Sequence, residues 1–340
     1  MGPRRPVAFT LIELLVSMAI VSILLIVLFG MVDQASNMWR YSTSKTEQFR
    51  SARTAFESMT HQLSQATLNT YWDYQRNSNG DVQKYVRQSD LRFISGDANT
   101  VIGNTPPKST KCVFFSAPLG FSEQSSYLGI QTLLNSWGYF IQFKSDKDQW
   151  PGFMAGMKPT PVEKYRYNLM EFMQPSEELS VYKYTSGSAT ALNYHDKDWF
   201  RQALSAPKPP AHILAENVVA LVLLPKLPPD PKLTGTELAP NYEYDSSDST
   251  KPNPPQYDPK NQLPPIVQVT LVAIDEASAG RLASQSGTNP PDFGLDALFR
   301  DATKYTDDMS ALQTTLVQKK ATFRTFTTNV SIRGAKWSVN

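Results

Sequence analysis

The stretch FTLIELLVSMAIVSILLIVLFGM, residues Phe9–Met31, decides how this 340-residue chain is organised. It begins close to the N-terminus and contains one ionisable side chain, Glu13. At about 1.5 Å rise per residue it makes a helix of roughly 35 Å, enough to cross a hydrocarbon core of about 30 Å. A core helix of a soluble domain needs to be apolar on one face only, so the stretch predicts a single transmembrane helix.

Two ordinary export signals fit the flanking residues poorly. A secretory signal has an apolar region of about 7–15 residues before a small-x-small cleavage site. Here the apolar run is longer, and residues 28–30 make a poor cleavage site. Arg4 and Arg5 resemble part of a twin-arginine signal, but prolines flank the pair. A cut between Ala8 and Phe9 is the third route, and it would retain the apolar segment.

The residues around this third site resemble the prepilin-type N-terminal cleavage and methylation motif of type IV pilins and type II secretion pseudopilins. In that family a basic leader ends in a small residue, followed by Phe, a short Thr-Leu-Ile or Thr-Leu-Leu run, and Glu. This chain matches from Phe9 to Glu13 with FTLIE. The resemblance implies that a prepilin peptidase/methyltransferase cuts between Ala8 and Phe9 and N-methylates Phe9. The family usually has Gly before the cut, so Ala8 is a departure, and slower processing is its expected consequence.

Glu13 is the candidate assembly residue. A carboxylate at bilayer depth costs at least about 2.5 kcal/mol on insertion scales, so an intramembrane acid needs a partner. After a cut before Phe9, the new α-amino group lies four residues from Glu13 and has the right chemistry for an ion pair. Alternatively, Glu13 lies near the cytoplasmic interface and reaches lipid headgroups. The resemblance implies that the pair forms between neighbouring pilin-like subunits and sets their axial stagger in a helical filament.

The charges around the span predict its orientation. Arg4 and Arg5 precede it, whereas Asp33 is the first charged residue after it. The positive-inside rule then places the N-terminus in the cytoplasm. We therefore expect a single-pass protein of the inner membrane, in contact with its lipid, whose C-terminal domain is periplasmic.

Composition bounds the remaining chain. The sequence has 33 Lys+Arg and 31 Asp+Glu, and loss of Arg4 and Arg5 with a leader would make the mature chain neutral. A neutral chain offers no argument for a nucleic-acid partner or for an acidic substrate. Hydrophobic residues at 41% and aromatic residues at 11% suffice for a substantial core. Cys112 is the single cysteine, so no intrachain disulfide can form, and its apolar neighbours predict a buried strand thiol.

The pattern predicts four segments: a leader at 1–8, a transmembrane helix at 9–31, an amphipathic continuation of that helix at 32–70, and a β-rich domain at 71–340. In the continuation, helix to about Asn69, apolar residues recur at spacings of three and four. Polar side chains, including Arg53, His61 and Gln62, are expected on the solvent side. The apolar stripe consists of Met31, Ala35, Met38, Phe49, Ala52, Phe56, Met59, Leu63 and Ala66.

Beyond residue 71 the pattern changes to strands and turns, which favours an α+β fold with the long N-terminal helix packed on an antiparallel sheet. The span 225–265 holds 11 of the 25 prolines and predicts a long exposed loop. Short helices are predicted at Trp199–Leu204 and Met309–Lys319. The predicted strands are Leu91–Ser95, Lys111–Ser116, Gly138–Lys144, Lys164–Met173, Leu179–Tyr184, Val218–Leu224, Ile266–Ile274 and Thr322–Arg333.

Residues 52–69, 214–225, 263–276 and 323–337 resemble, in order, segments of the J-type minor pseudopilins. The set also resembles the pilin-like cassette protein C group of verrucomicrobial genomes. The resemblance implies a minor pilin-like subunit that assembles with other such subunits into the pseudopilus of a type II secretion-like system. The alternatives are a minor subunit of a type IV pilus, or an exported enzyme or binding protein held by an uncleaved anchor.

A search for catalytic chemistry finds little, so no enzyme and no cofactor is predicted. The three histidines, His61, His195 and His212, lack metal-ligand spacing. His195 and Asp196 could belong to a hydrolase triad, but no nucleophile elbow accompanies them. Asp245 and Asp248 are weak candidates for Ca²⁺ ligands, because carboxylates in a flexible loop suit that ion and because turns also use Asp.

Overall fold

The computed structural model of the chain describes residues 11–103, 108–147, 150–153, 158, 162–179, 198–228, 238–247 and 259–336. The chain divides into two compact units, Met1–Gln48 and Phe49–Asn340. A long helix, α1 (Leu11–Leu63), begins in the first unit and ends in the second. The remaining elements are predominantly antiparallel strands, which confirms the predicted α+β class.

In the first unit, α1 is rich in Leu, Ile, Val, Met and Ala up to Val32 and more polar after it, and it continues through Gly30. No heavy atom lies within 4 Å of the position that a Cβ at Gly30 would occupy. The predicted helix start at Phe9 lies outside the described residues. The apolar stripe of this unit is exposed where its side chains are described, as at Met31 and Met38.

The second unit contains eleven described strands and four further helices. The helices are α2 (Ala98–Ile102), α3 (Asp198–Leu204), α4 (Glu276–Ser286) and α5 (Tyr305–Gln318). The strands are β1 (Tyr71–Arg76), β2 (Val82–Gln88), β3 (Ile94–Asp97), β4 (Lys108–Pro118), β5 (Leu134–Ser145), β6 (Tyr165–Gln174), β7 (Ala211–Glu216), β8 (Val218–Lys226), β9 (Tyr244–Asp245), β10 (Ile266–Ile274) and β11 (Phe323–Ser331).

These strands form three antiparallel sheets. A six-stranded sheet has the order β7-β6-β5-β4-β3-β9, a three-stranded sheet has the order β11-β10-β8, and β1 and β2 form a separate hairpin. Seven of the eight predicted strands overlap observed ones, with β10 matching Ile266–Ile274. The eighth, Leu179–Tyr184, falls outside the described residues except for Leu179, which follows a 3₁₀ turn instead of lying in a strand. Both predicted short helices are present, as α3 and α5.

The main core lies between the last turns of α1 and one face of both larger sheets. The predicted stripe is confirmed in this unit, because its helical side chains from Ala52 to Leu63 are buried. They pack against alternate residues of the strands, as the two-residue period of a strand requires. Representative strand residues of this core are Val113, Phe115, Trp137, Ile141, Leu169, Leu221, Leu223, Val267, Val269 and Leu271.

The opposite faces of the two sheets are covered by the shorter helices. Helices α4 and α5 cover the three-stranded sheet, where Leu282 and Leu312 pack against Val222 and Val272. Helix α3 covers the six-stranded sheet, where the ring of Phe200 stacks on Phe114 with 4.0 Å between centroids. The two larger sheets therefore have side chains packed against both of their faces.

Helix α1 ends at Leu63, earlier than the predicted end near Asn69. The next residues tighten into a turn in which the N–H of Gln65 donates to the Gln62 carbonyl at 3.0 Å. The N–H of Thr67 then donates to the Ser116 carbonyl of β4 at 2.8 Å. A backbone bond to the sheet replaces the next helical bond, and a tertiary partner therefore decides where the helix stops.

The described middle of the proline-rich segment corrects the prediction of a long exposed loop. Within 238–247, Leu238, Tyr242 and Tyr244 are buried, and β9 pairs with β3. Three large apolar side chains anchor the segment, and this stabilisation outweighs the loss of proline N–H donors. The parts at 229–237 and 248–258 lie outside the described residues.

Candidate functional site

The first candidate site is the apolar part of α1. Within the described part of the chain, Leu11–Ser36 is the one helical segment long and apolar enough to cross a membrane. Its large apolar side chains up to Val32 are exposed on every face, from 47% at Leu25 to 79% at Leu11. Apolar surface of this extent is unfavourable in water. The segment therefore has the length, composition and exposure of a single membrane span.

Polar groups within this span are few, and the hydroxyls are satisfied by the helix itself. The Ser17 hydroxyl donates to the Leu14 carbonyl at 2.9 Å, and the Ser22 hydroxyl donates to the Met18 carbonyl at 2.8 Å. Such bonds to the preceding turn remove the cost of a buried hydroxyl in lipid. Glu13 lies in the first turn of α1 and is exposed in the isolated chain. It is the one ionisable residue between Leu11 and Val32.

The processing residues named from the sequence, Ala8 and Phe9, lie outside the described residues. Cleavage between them and methylation of Phe9 remain predictions. Glu13 is thus the one member of the predicted N-terminal site that the structure places, at the start of the described helix.

The second candidate site is a polar cluster buried where α1 packs on the six-stranded sheet. Glu171 of β6 accepts hydrogen bonds through Oε1 from the Trp137 indole at 2.7 Å and from the Tyr139 hydroxyl at 2.8 Å. Its Oε2 lies 3.0 Å from Nε2 of His212. The Tyr139 hydroxyl also contacts Oε1 of Gln62, in the last turn of α1.

This cluster corrects one expectation about α1. Arg53 and His61 are exposed as predicted, and Arg53 pairs with Glu57 at 2.8 Å. Gln62 instead points toward the sheet, because the Tyr139 hydroxyl provides it with a buried partner. A polar residue beside the apolar stripe therefore contributes to the junction between helix and sheet.

The pKa values in the cluster follow from its burial and hydrogen bonds. Burial opposes ionisation of Glu171, but hydrogen bonds from His212, Tyr139 and Trp137 outweigh it and hold the pKa of this carboxyl below its ordinary value. Burial, together with the negative charge of Glu171, raises the pKa of Tyr139 well above its ordinary value. The tyrosine therefore stays protonated and can donate to the carboxylate.

Asp245, one of the two candidate calcium ligands, is paired with an arginine side chain. The Nε of Arg92 lies 2.7 Å from its Oδ1, and an Arg92 Nη2 contacts its Oδ2. The N–H and hydroxyl of Ser247 donate to the same Oδ1 at 3.0 and 2.8 Å. The Arg92 guanidinium therefore balances the charge of Asp245, and this pairing requires no metal ion. Asp248 lies outside the described residues.

The histidines do not form a metal centre in the part of the chain that is described. His61 is exposed and contacts Gln65, His212 pairs with Glu171, and His195 lies outside that part together with Asp196. No group of three or more His, Cys, Asp or Glu residues able to hold a metal ion occurs among the described residues. Cys112 is fully buried in β4, as its apolar neighbours predicted.

The predictions missed the hairpin of β1 and β2, although the sequence contains a local signal for it. The hairpin of β1 and β2 turns through NSNGD at residues 77–81, where Gly80 has a φ of 89°. Asn-Gly between alternating strands is a hairpin signal because glycine reaches positive φ at no steric cost. No comparable local signal marks Glu171, whose partners come from β5 and β7.

No family model matches the chain, and comparisons with curated proteins and with solved structures found no similar protein.

Proposed function

We propose that this chain is a minor pilin-like subunit that assembles, through α1, into the pseudopilus of a type II secretion-like system. The observation that carries the proposal is the apolar segment of α1, exposed on every face, with Glu13 in its first turn. The residues FTLIE around the same acid resemble the prepilin motif. In this proposal the protein works by assembly and carries out no catalysis.

Glu13 is assigned the role of pairing with a neighbouring subunit. Prepilin peptidase cuts between Ala8 and Phe9, and the enzyme methylates the new terminus. The α-amino group of one subunit then meets the Glu13 carboxylate of the next within the membrane, where the low dielectric strengthens the ion pair. One such ion pair per subunit sets the axial stagger between neighbouring subunits of the filament.

The described domain is consistent with such a role. The last turns of α1 belong to the core of the second unit, where Met59 and Leu63 are fully buried against the sheets. These last turns of α1 are therefore an integral part of the domain. The orientation expected from Arg4 and Arg5 places that domain in the periplasm.

The first experiment is intact-mass and N-terminal analysis of the protein purified from membranes of a cell that contains a prepilin peptidase. The expected product starts at Phe9 and carries one additional methyl group. A matched sample from a peptidase-deficient strain should start at Met1. A chain that starts at Met1 in both strains would support an exported protein with an uncleaved anchor and would overturn the proposal.

The second experiment tests the pairing of Glu13. A cysteine introduced at Ile26, which is 72% exposed, reports contacts between subunits by disulfide crosslinking, because the native Cys112 is fully buried. In this background, Glu13→Gln should abolish crosslinks while membrane insertion persists. Asp33→Asn, the same change at the other end of the span, should leave them intact. Crosslinking that survives Glu13→Gln would contradict the filament mechanism.

Co-purification of crosslinked partners identifies the assembly to which the chain belongs. Crosslinked partners that are secretion pseudopilins support the proposal, whereas pilins of a type IV pilus would assign the chain to that assembly instead.

A further inference from the structure

A groove of about 400 Å³ opens in the second unit, beside the hairpin of β1 and β2. One wall is formed by the hairpin and the chain that leads into it, and the other by the segment before β10 and the segment after β11. Its lining includes Thr67, Thr70, Trp72, Arg87, Asn261 and Lys336. A groove of this volume accommodates a ligand of small-molecule size or one unit of a chain.

The hairpin wall presents an aromatic ring next to a guanidinium. Trp72 and Arg87 are cross-strand partners, and the Cζ of Arg87 lies 5.7 Å from the centre of the Trp72 ring. The Trp72 side chain remains 67% exposed. Exposure of the apolar tryptophan ring to water is unfavourable, but the ring provides a flat apolar surface against which a ligand ring can stack.

Backbone contacts hold the other wall in place. The Asn261 side-chain amide donates to the Arg87 carbonyl at 2.6 Å, which ties the segment before β10 to the hairpin. The N–H of Arg333 donates to the Ser64 carbonyl at 2.9 Å. At Gly334 a Cβ would lie 2.9 Å from the Ala66 carbonyl oxygen, so glycine permits this close approach. The groove is therefore a built feature of the fold.

The charges of the lining are of one sign. Arg87 and Lys336 are cationic, and no Asp or Glu lines the groove in the described part of the chain. Among the described residues neither cation forms an ion pair with a carboxylate. Asp90, at the same end of the hairpin, is held by the Asn69 amide at 2.8 Å and the Tyr71 hydroxyl at 3.0 Å. The groove thus suits an anion.

We infer that this groove binds an acidic oligosaccharide, a sugar chain that bears carboxylates. Neutral hydrogen-bonding groups, among them Thr67, Thr70 and Gln262, outnumber the two cations, which fits a hydroxyl-rich ligand with sparse negative charge. Trp72 supplies the stacking surface for a sugar ring, and Arg87 and Lys336 pair with carboxylates. A single-stranded nucleic acid is less well matched, because it needs a row of cations along its phosphates and successive stacking rings.

The test is isothermal titration of the full chain, in non-ionic detergent, with a short oligogalacturonate. We expect binding that weakens about tenfold in Arg87→Gln and in Lys336→Gln, the size of one lost charge-assisted hydrogen bond. Arg76→Gln is the matched control, because it removes the same charge from the same hairpin without touching the groove. It should bind as the wild type does.

The stacking surface is tested in the same way. Trp72→Ala should weaken binding about tenfold or more, whereas Tyr85→Ala should not, because the equally exposed Tyr85 ring lies outside the groove lining. The change in tryptophan fluorescence on titration should disappear in Trp72→Ala. Retained affinity in Trp72→Ala would contradict the proposed stacking.

Three further probes complete the test. The methyl-esterified oligosaccharide, which has lost its charges, and polyacrylate, which has charges but no sugar rings, should both bind at least about tenfold more weakly than oligogalacturonate. Absence of oligogalacturonate binding, equal binding of either comparison probe, or tighter binding of an oligothymidylate would each overturn the proposal. The last result would assign the groove to nucleic acid. None of these measurements depends on assembly of α1 into a filament.

Discussion

Arg92 and Asp245, 153 positions apart in the sequence, form a buried ion pair that joins the residues just before β3 to the neighbouring strand β9. Both side chains are 4% exposed. Burial opposes ionisation of Asp245, but the hydrogen bonds and charge of Arg92 outweigh it and hold the pKa of the carboxyl below its ordinary value. The pair therefore holds the described middle of the proline-rich segment on the edge of the six-stranded sheet.

Asp245→Asn should lower the free energy of unfolding by about 3–5 kcal/mol, because it leaves the Arg92 guanidinium buried without its counter-ion. Urea unfolding of the full chain in detergent, followed by tryptophan fluorescence, measures the change. Asp296→Asn, at an exposed aspartate, should change the free energy of unfolding by no more than about 0.5 kcal/mol. Equal effects of the two substitutions would show that the buried pair contributes nothing specific.

Glu171 gives the domain a dependence on pH. Because its folded-state pKa is lowered, the folded state binds fewer protons than the unfolded state just below the ordinary carboxyl pKa of about 4.3. The contribution of Glu171 to stability is therefore complete above that value and is lost as the pH falls through the folded-state pKa.

Glu171→Gln should remove this contribution and should cost about 1–3 kcal/mol at neutral pH, since the amide replaces a charged acceptor of three hydrogen bonds. The free energy of unfolding, measured from about pH 6 to pH 3, should fall less steeply in the variant than in the wild type. Parallel profiles would contradict the assignment of the lowered pKa to Glu171.

Met59 tests the packing of α1 against the sheets. The side chain is fully buried in the main core, so Met59→Ala should cost about 2–5 kcal/mol through lost burial and the cavity that remains. Thr54→Ala, on the exposed side of the same helix, should change stability by less than about 0.5 kcal/mol. Denaturant midpoints compare the two variants, and similar values would argue against the helix as part of this core.

Gly138 marks a close approach within the six-stranded sheet. A Cβ there would overlap with Cδ1 of Phe114, whose ring stacks on Phe200. Gly138→Ala should therefore displace a packed ring and destabilise the domain by about 1–3 kcal/mol. Gly152→Ala, where no heavy atom lies within 4 Å, serves as the control in thermal unfolding. A midpoint for Gly138→Ala equal to that of the control would show that the ring adjusts freely.

Strands with strong local patterns were predictable, and elements with weak ones were not. The run IVQVTLVAI has the length and β-branched content of a strand, and β10 occupies all of it. Helix α4 was missed because EASAGRLASQS is rich in small and polar residues, with Ala279 and Leu282 as its buried apolar side chains. Its start depends on Asp275, whose carboxylate accepts from the Ser278 N–H at 2.9 Å.

Burial of polar side chains was less predictable still. Gln62 lies beside the apolar stripe of Met59 and Leu63 and is not part of it. The helical spacing therefore predicted that its side chain faces solvent. The Tyr139 hydroxyl that contacts it belongs to a strand 77 positions away. The proline count likewise indicated an exposed loop, whereas Tyr242 and Tyr244 are buried.

Length, hydropathy and residue periodicity are local properties, and they were enough to predict an apolar helical span with a single acid, Glu13, followed by an α+β domain. The contact of Arg92 with Asp245, those of Glu171 with Trp137, Tyr139 and His212, and the groove that Trp72 and Arg87 line with Lys336 depend instead on how the domain packs. These contacts join positions far apart in the chain, and their strength comes from the removal of water, which occurs only once the sheets and helices have packed.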